Sequence, residues 1–175
     1  MRTIILGITL AIAFASCKKE NKECSSPTTK EFNLTGFTRI TAGENYSVQV
    51  KQGAAFGIKA KGCANDIDDL SVSLQAGNTL AFAYTHYESN RHRVDLEITL
   101  PSLYSIVFSG AAVGEVNGFG AQTTAMRTVV SGAAKGTVNQ VPALVRADVS
   151  GTGVLNLSGT APDLIATLSG DARLN

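Results

Sequence analysis

From residue 106 onward, apolar side chains alternate with polar or small ones in short runs, and each run ends on the same phrase. It reads Ile106-Val-Phe-Ser-Gly-Ala-Ala, Thr128-Val-Val-Ser-Gly-Ala-Ala, Ala147-Asp-Val-Ser-Gly-Thr-Gly and Ala166-Thr-Leu-Ser-Gly-Asp-Ala. Its serines are Ser109, Ser131, Ser150 and Ser169, so the spacings are 22, 19 and 19 residues. A strand-bearing repeat of about 20 residues marks a stacked solenoid. Aligned on the serine, the preceding position holds Phe108, Val130, Val149 and Leu168, whereas the one before that is mixed. Period-two alternation of this kind predicts strands with one buried face. A second inward column follows at Val116, Val138 and Leu157. The small or polar pairs after it, Asn117-Gly118, Asn139-Gln140 and Ser158-Gly159, read as turns.

A third strand is expected near residues 121–126, 143–146 and 164–167, and the three extra residues of the longer unit fall on that side. About three short strands per turn of 19–22 residues, each pairing with its counterpart one repeat away, make an all-β chain and a parallel β-helix. Its corners would be Ser109-Gly110, Ser131-Gly132, Ser150-Gly151 and Ser169-Gly170, where glycine permits positive φ or close backbone approach. The serines would form a ladder of hydroxyls capping corner amides. Before residue 103 the same alternation continues without the phrase, over residues 32–40, 46–51, 56–61, 70–75, 79–84 and 93–100. Gly53, Gly62 and Gly77-Asn78 punctuate these runs and Pro101 ends the last. This half supplies an irregular N-terminal β cap of the kind a solenoid needs.

Phe37-Thr-Arg-Ile, Tyr46-Ser-Val-Gln-Val-Lys-Gln-Gly, Val94-Asp-Leu-Glu-Ile-Thr-Leu-Pro-Ser-Leu and the Ser-Gly-Ala-Ala repeats together resemble the auto-transporter adhesin, head GIN domain family of bacterial lipoproteins, a domain of unknown function. The resemblance covers about residues 32–175. It implies a right-handed β-helix, and further Ser-Gly turns than this sequence carries.

The N-terminal region is of another kind. Arg2 precedes an apolar run at 4–14 that is too short to span a bilayer. The run ends in Phe14-Ala-Ser-Cys17, which resembles a bacterial lipobox with Phe14 in place of the usual Leu. That implies a lipoprotein signal peptide at 1–16 and acylation of Cys17, giving a membrane partner through the lipid anchor. Residues 17–31 read as a polar tether, and residues 32–175 as the β-helix domain, with its regular repeats at 103–175. Lys19-Glu20 is either an export signal for the outer face of the outer membrane or plain linker. Without residues 1–16, 14 basic residues face 14 acidic ones, which offers no electrostatic basis for nucleic-acid binding. Cys24 and Cys63 either pair as a disulfide or stay free.

Candidate chemistry is sparse. The only histidines, His86 and His92, lie in Tyr84-Thr-His-Tyr-Glu-Ser-Asn-Arg-His-Arg93, whose spacing matches no metal motif. The segment reads as a hairpin tip whose Tyr84, His86, Tyr87, Arg91 and His92 would contact a sugar or a protein. Asp66, Asp68 and Asp69 read as a solvated turn, without the glycine and distal glutamate of an EF-hand. Repeated serines without a nearby histidine do not make a nucleophile. The charges of the repeats do not form a column. The expectation is therefore a non-enzymatic cell-envelope lipoprotein with an adhesin-type binding surface, no cofactor and no metal. A structural or signalling partner within the periplasm and a degenerate carbohydrate-active enzyme are the alternatives. The last unit is expected to leave strand edges open and to self-associate through them.

Overall fold

The structure, a computed structural model, describes residues 24, 26–88 and 90–175. The expected signal peptide, Cys17 and most of the tether lie outside the described residues. Among the described residues no helix is long and apolar enough to cross a membrane.

The chain is mostly β. Its strands in order are β1 (Pro27–Glu31), β2 (Arg39–Ala42), β3 (Ser47–Gln52), β4 (Gly57–Cys63), β5 (Leu70–Gln75), β6 (Thr79–Tyr84), β7 (Asp95–Leu100), β8 (Ser105–Phe108), β9 (Val113–Asn117), β10 (Met126–Val130), β11 (Lys135–Asn139), β12 (Leu144–Val149), β13 (Val154–Ser158), β14 (Asp163–Leu168) and β15 (Arg173–Leu174). One short helix, α1 (Ala64–Asp69), joins β4 to β5. The strands form two mixed sheets, ordered β1-β4-β7-β3-β9-β11-β13-β15 and β14-β12-β10-β8-β2-β6-β5.

Each repeat contributes two strands, one to each sheet, where the sequence suggested three. The stretches expected as a third strand run straight into the first strand of the next unit: residues 144–149 are the single strand β12, and 163–168 are β14. No break separates them because no turn residue stands between them. The extra residues of the longer unit make a 3-10 turn at Phe119–Ala121. Behind it the Gln122 side chain accepts from the Leu103 N–H at 2.8 Å and donates to the Leu103 carbonyl at 2.9 Å.

Both inward columns are buried as expected except in the last units, where Leu168 is exposed and Leu157 half-buried because no further unit covers them. Val130 aligns with Phe108 and Val149, and Val149 with Leu168. Val138 aligns with Val116 and Leu157. Phe108, Val116, Val130, Val138 and Val149 are buried. The core is thin, and Gly114 shows how thin: a Cβ there would stand 2.1 Å from the Phe108 ring. Between β8 and β9, and at each equivalent point, the chain turns on a glycine in the left-handed region, at Gly110, Gly132, Gly151 and Gly170. The rungs between corners are backbone bonds. The Ala133 N–H donates to the Gly110 carbonyl and the Thr152 N–H to the Gly132 carbonyl, each at 2.9 Å.

The N-terminal half joins this stack out of chain order. β2 and β3 form a further unit on β8 and β9, and its corner uses Glu44 at φ 51 where later units use glycine. β6 and β7 form the next, pairing in parallel with β2 and β3. Beyond them β4 pairs antiparallel with β7, β5 pairs antiparallel with β6, and β1 closes the end on β4. β1 corrects the tether boundary, since residues 27–31 are already strand. Residues 32–38 are irregular where a strand was expected. At the other end β14 and β15 are the outermost strands, and Leu164, Ile165 and Leu168 are exposed on β14.

Two expectations test this register. Val149→Asp places an unpaired carboxylate in the core and should lower stability by about 3 kcal/mol or more. Asp148→Val, which loses only a half-exposed pair with Arg127, should stay within about 1 kcal/mol. Thermal melts compare them, and equal losses would place the register one residue off. Gly132→Val should cost more than Ser131→Ala, because φ is +70 and a Cβ would meet the Gly110 carbonyl oxygen at 3.0 Å. The serine change should cost about 1 kcal/mol or less. Denaturant melts that reverse the order would refute this account of the corner.

Candidate functional site

At one point the row of corners is interrupted. Between β6 and β7 the short Ser-Gly turn is replaced by residues 85–94, the segment holding both histidines. α1 crosses from one sheet to the other beside it, because Leu70 aligns with Tyr84 and Lys61 with Asp95. The long corner therefore lies on the helix. The acids expected in a solvated turn are placed under it: Asp66 is buried and Asp69 half-buried.

Arg91 organises the contacts. Its guanidinium, only 10% exposed, lies 3.3 Å from Asp66 and also pairs with Asp69. It donates to the His86 carbonyl and stacks 3.8 Å over the Tyr84 ring. His86 Nδ1 meets Asp69 at 2.6 Å and His92 Nδ1 meets Asp66 at 3.2 Å. The backbone N–H groups of both histidines donate to the same two carboxylates. Burial pushes the Tyr84 hydroxyl up to about 12. It raises the Asp69 carboxyl as well, but the His86 ring and N–H and the Arg91 guanidinium outweigh it and hold that carboxyl below its ordinary value.

The five expected contact residues therefore separate. Tyr84, Arg91 and His92 are spent on internal pairs, and a buried charge so committed is costly to withdraw. Tyr87, 95% exposed, and the outer edge of His86 face solvent. The two histidines serve different carboxylates and do not converge on one metal. The mixed cluster present is another one: the ligand atoms of Cys63, Asp66 and His92 lie within 4.8 Å of one another, with Cys63 bonded to Cys24.

A second surface was missed. On the outer face of the sheet containing β8 to β14, Tyr104, Arg127, Arg146, Asp148, Ile165 and Thr167 line an open cleft of about 640 Å³. Arg127 aligns with Arg146, and both Arg39 and Arg127 align with Ser105. The charges of the repeats form no continuous column, but Arg127 and Arg146 stand side by side, with Ser105 and Ile165 at the same place in the flanking units. The signal was present in the sequence, since Arg127 and Arg146 both stand four residues before a repeat serine. Arg127 holds Asp148 at 2.7 Å, Arg39 lies 4.6 Å over the half-exposed Tyr104 ring, and among the described residues Arg146 forms no ion pair.

Because the ionised form of Asp69 is favoured in the fold, its contribution to stability is present above the unfolded-chain value of about 3.9. It disappears as pH falls through the lower folded value. Melting temperatures of wild type and Asp69→Asn should differ most at neutral pH and converge below about pH 4. A pH-independent difference would contradict this.

Comparison with known proteins agrees with the architecture. Among curated proteins none matches the chain. A solved structure of a putative adhesin from Bacteroides fragilis is similar at TM-score 0.53 and 13% identity, over 86% of this chain and 96% of that one. A putative adhesin from Parabacteroides distasonis is similar at 0.51 and 10%, over 86% and 97%. A putative lipid binding protein from the same species is similar at 0.53 and 15%, over 86% of this chain and 63% of that one. At these identities the likeness concerns the fold. The model of the family described as "Putative auto-transporter adhesin, head GIN domain" matches residues 36–175, and the chain belongs to that family.

Proposed function

We propose that this is a lipid-anchored protein of the bacterial outer membrane that binds rather than catalyses. Its two-sheet stack is read as a right-handed parallel β-helix, flattened to two strands per turn and capped by β1, β4 and β5. The parallel rungs between successive units support that reading. The ligand class is carbohydrate bearing acidic groups. One observation carries it: an exposed aromatic ring, Tyr104, stands in one cleft with Arg146, a cation that no acid of the described chain neutralises. A flat ring suits the apolar face of a sugar, and a guanidinium suits a carboxylate or sulfate. Membership of an adhesin-like family supports an envelope location and a binding role.

An array of neutral and anionic oligosaccharides probed with the full chain should retain anionic members. Tyr104→Ala and Arg146→Ala should each weaken retention about tenfold, equivalent to about 1.4 kcal/mol, with unchanged melting temperature. Absence of any retained glycan, or indifference to both substitutions, would refute the reading. Loss confined to Tyr87→Ala would move the contact to the long corner.

The anchor reading rests on Ala15-Ser16-Cys17 after the apolar run. Cys17→Ala should abolish palmitate labelling and release the protein from the membrane fraction. A mutant that still sediments fully with membranes, beside an unlabelled wild type, would refute it.

A further inference from the structure

We propose that Cys24, Cys63, Asp66 and His92 form a redox-gated site for a divalent transition metal, with zinc the ion that its donors fit. The Cys63 sulfur, an Asp66 carboxylate oxygen and a His92 ring nitrogen stand within 4.8 Å of one another. The Cys24 sulfur is bonded to that of Cys63 and so stands next to it. Two sulfurs, one imidazole and one carboxylate are a set on which zinc takes four-coordinate tetrahedral geometry, with bonds of about 2.0–2.3 Å. Ligand atoms on such an ion stand about 3.3–3.8 Å apart. His92 Nδ1 and Asp66 Oδ2 are 3.2 Å apart already, held by a hydrogen bond whose place the ion would take.

The disulfide is the gate. A cysteine ligates the metal as its thiolate, and a disulfide-bonded sulfur is not one. A dithiol reductant breaks the S–S bond and becomes a disulfide itself, delivering two electrons and two protons to the two sulfurs. The protons leave for solvent when the thiols bind the ion. A disulfide oxidant reverses the step: it takes two electrons from the two thiolates, is itself reduced to a dithiol with two protons from solvent, and the metal is expelled.

Position and charge both fit. Cys63 ends β4 and Asp66 lies three residues on in α1, so two donors are fixed by the sheet and the helix. Cys24 is exposed and precedes β1, so the sulfur that has to move belongs to a residue outside both sheets. Two thiolates and one carboxylate carry three negative charges. The divalent ion supplies two positive ones. The ion and its donors together keep one negative charge, placed beside the Arg91 guanidinium that Asp66 shares with Asp69.

The test uses the untagged full chain in detergent, in a Cys17→Ser background so that only Cys24 and Cys63 supply sulfur. It is titrated with cobalt(II), a spectroscopic stand-in for zinc, after reduction with a phosphine and in parallel in the oxidised state. The reduced protein should bind one cobalt per chain with a thiolate-to-cobalt charge-transfer band that zinc abolishes, and the oxidised protein should bind none. His92→Ala should weaken binding at least tenfold. Cys24→Ser, which removes the disulfide without touching either sheet, should weaken it as much in both redox states. Far-UV circular dichroism on the same samples should keep its β signature. The proposal is overturned by no uptake in the reduced protein, by equal uptake in the oxidised one, by full affinity in His92→Ala, or by a chain that unfolds on reduction.

Discussion

The structure depends on close approach at the corners. Successive units can pair strand to strand in both sheets only if the turns between the sheets also stack. The backbone at each turn then meets the backbone of the next: a Cβ on Gly151 would lie 2.8 Å from the Gly132 carbonyl oxygen. Positive φ and the absence of a side chain are both required there, and glycine meets both requirements. The same closeness sets the thickness of the core. Phe108 fills the space that Gly114 and Gly136 leave open on the facing sheet, so large and small residues alternate across the interior at close-packed density.

Where the corner rule is relaxed, the chain gains a place for polar chemistry. The segment at residues 85–94 is too long to stack as a Ser-Gly turn, and its residues 86, 91 and 92 contact the acids of α1 instead. Buried acids must be paired there, and Arg91 pairs two of them while covering the Tyr84 ring. The result is a charged knot of paired side chains at the capped end of the stack. The outer face of the repeats has a different logic. Its side chains are set by the strand period alone, so an arginine at one offset in two units becomes two arginines side by side on the sheet.

What the sequence by itself determined follows from period. An alternation of two with a restart every 19 to 22 residues admits one inward set. Phe108, Val130 and Val149, and likewise Val116 and Val138, occupy it because a slip of one residue would bury Asp148 and expose Val149. The corner glycines were legible for a similar local reason. β5 and β6 were legible too, since Gly77-Asn78 at positive φ between alternating runs is a hairpin turn. Family membership was legible in the order of these motifs.

Tertiary structure decided what depends on residues distant in sequence. The number of strands per turn was one such point: residues 144–149 bend or run straight according to how they pair with β10 and β14. That Asp66 is buried depends on Arg91, 25 residues away, which arrives only because β7 pairs with β4. Cys24 and Cys63 meet because β1 pairs with that same β4. The order of units along the stack, with β6 and β7 outside β2 and β3, is set by long-range pairing that no local pattern encodes. Period describes what one strand buries, whereas the identity of its neighbour is a property of the whole assembled sheet.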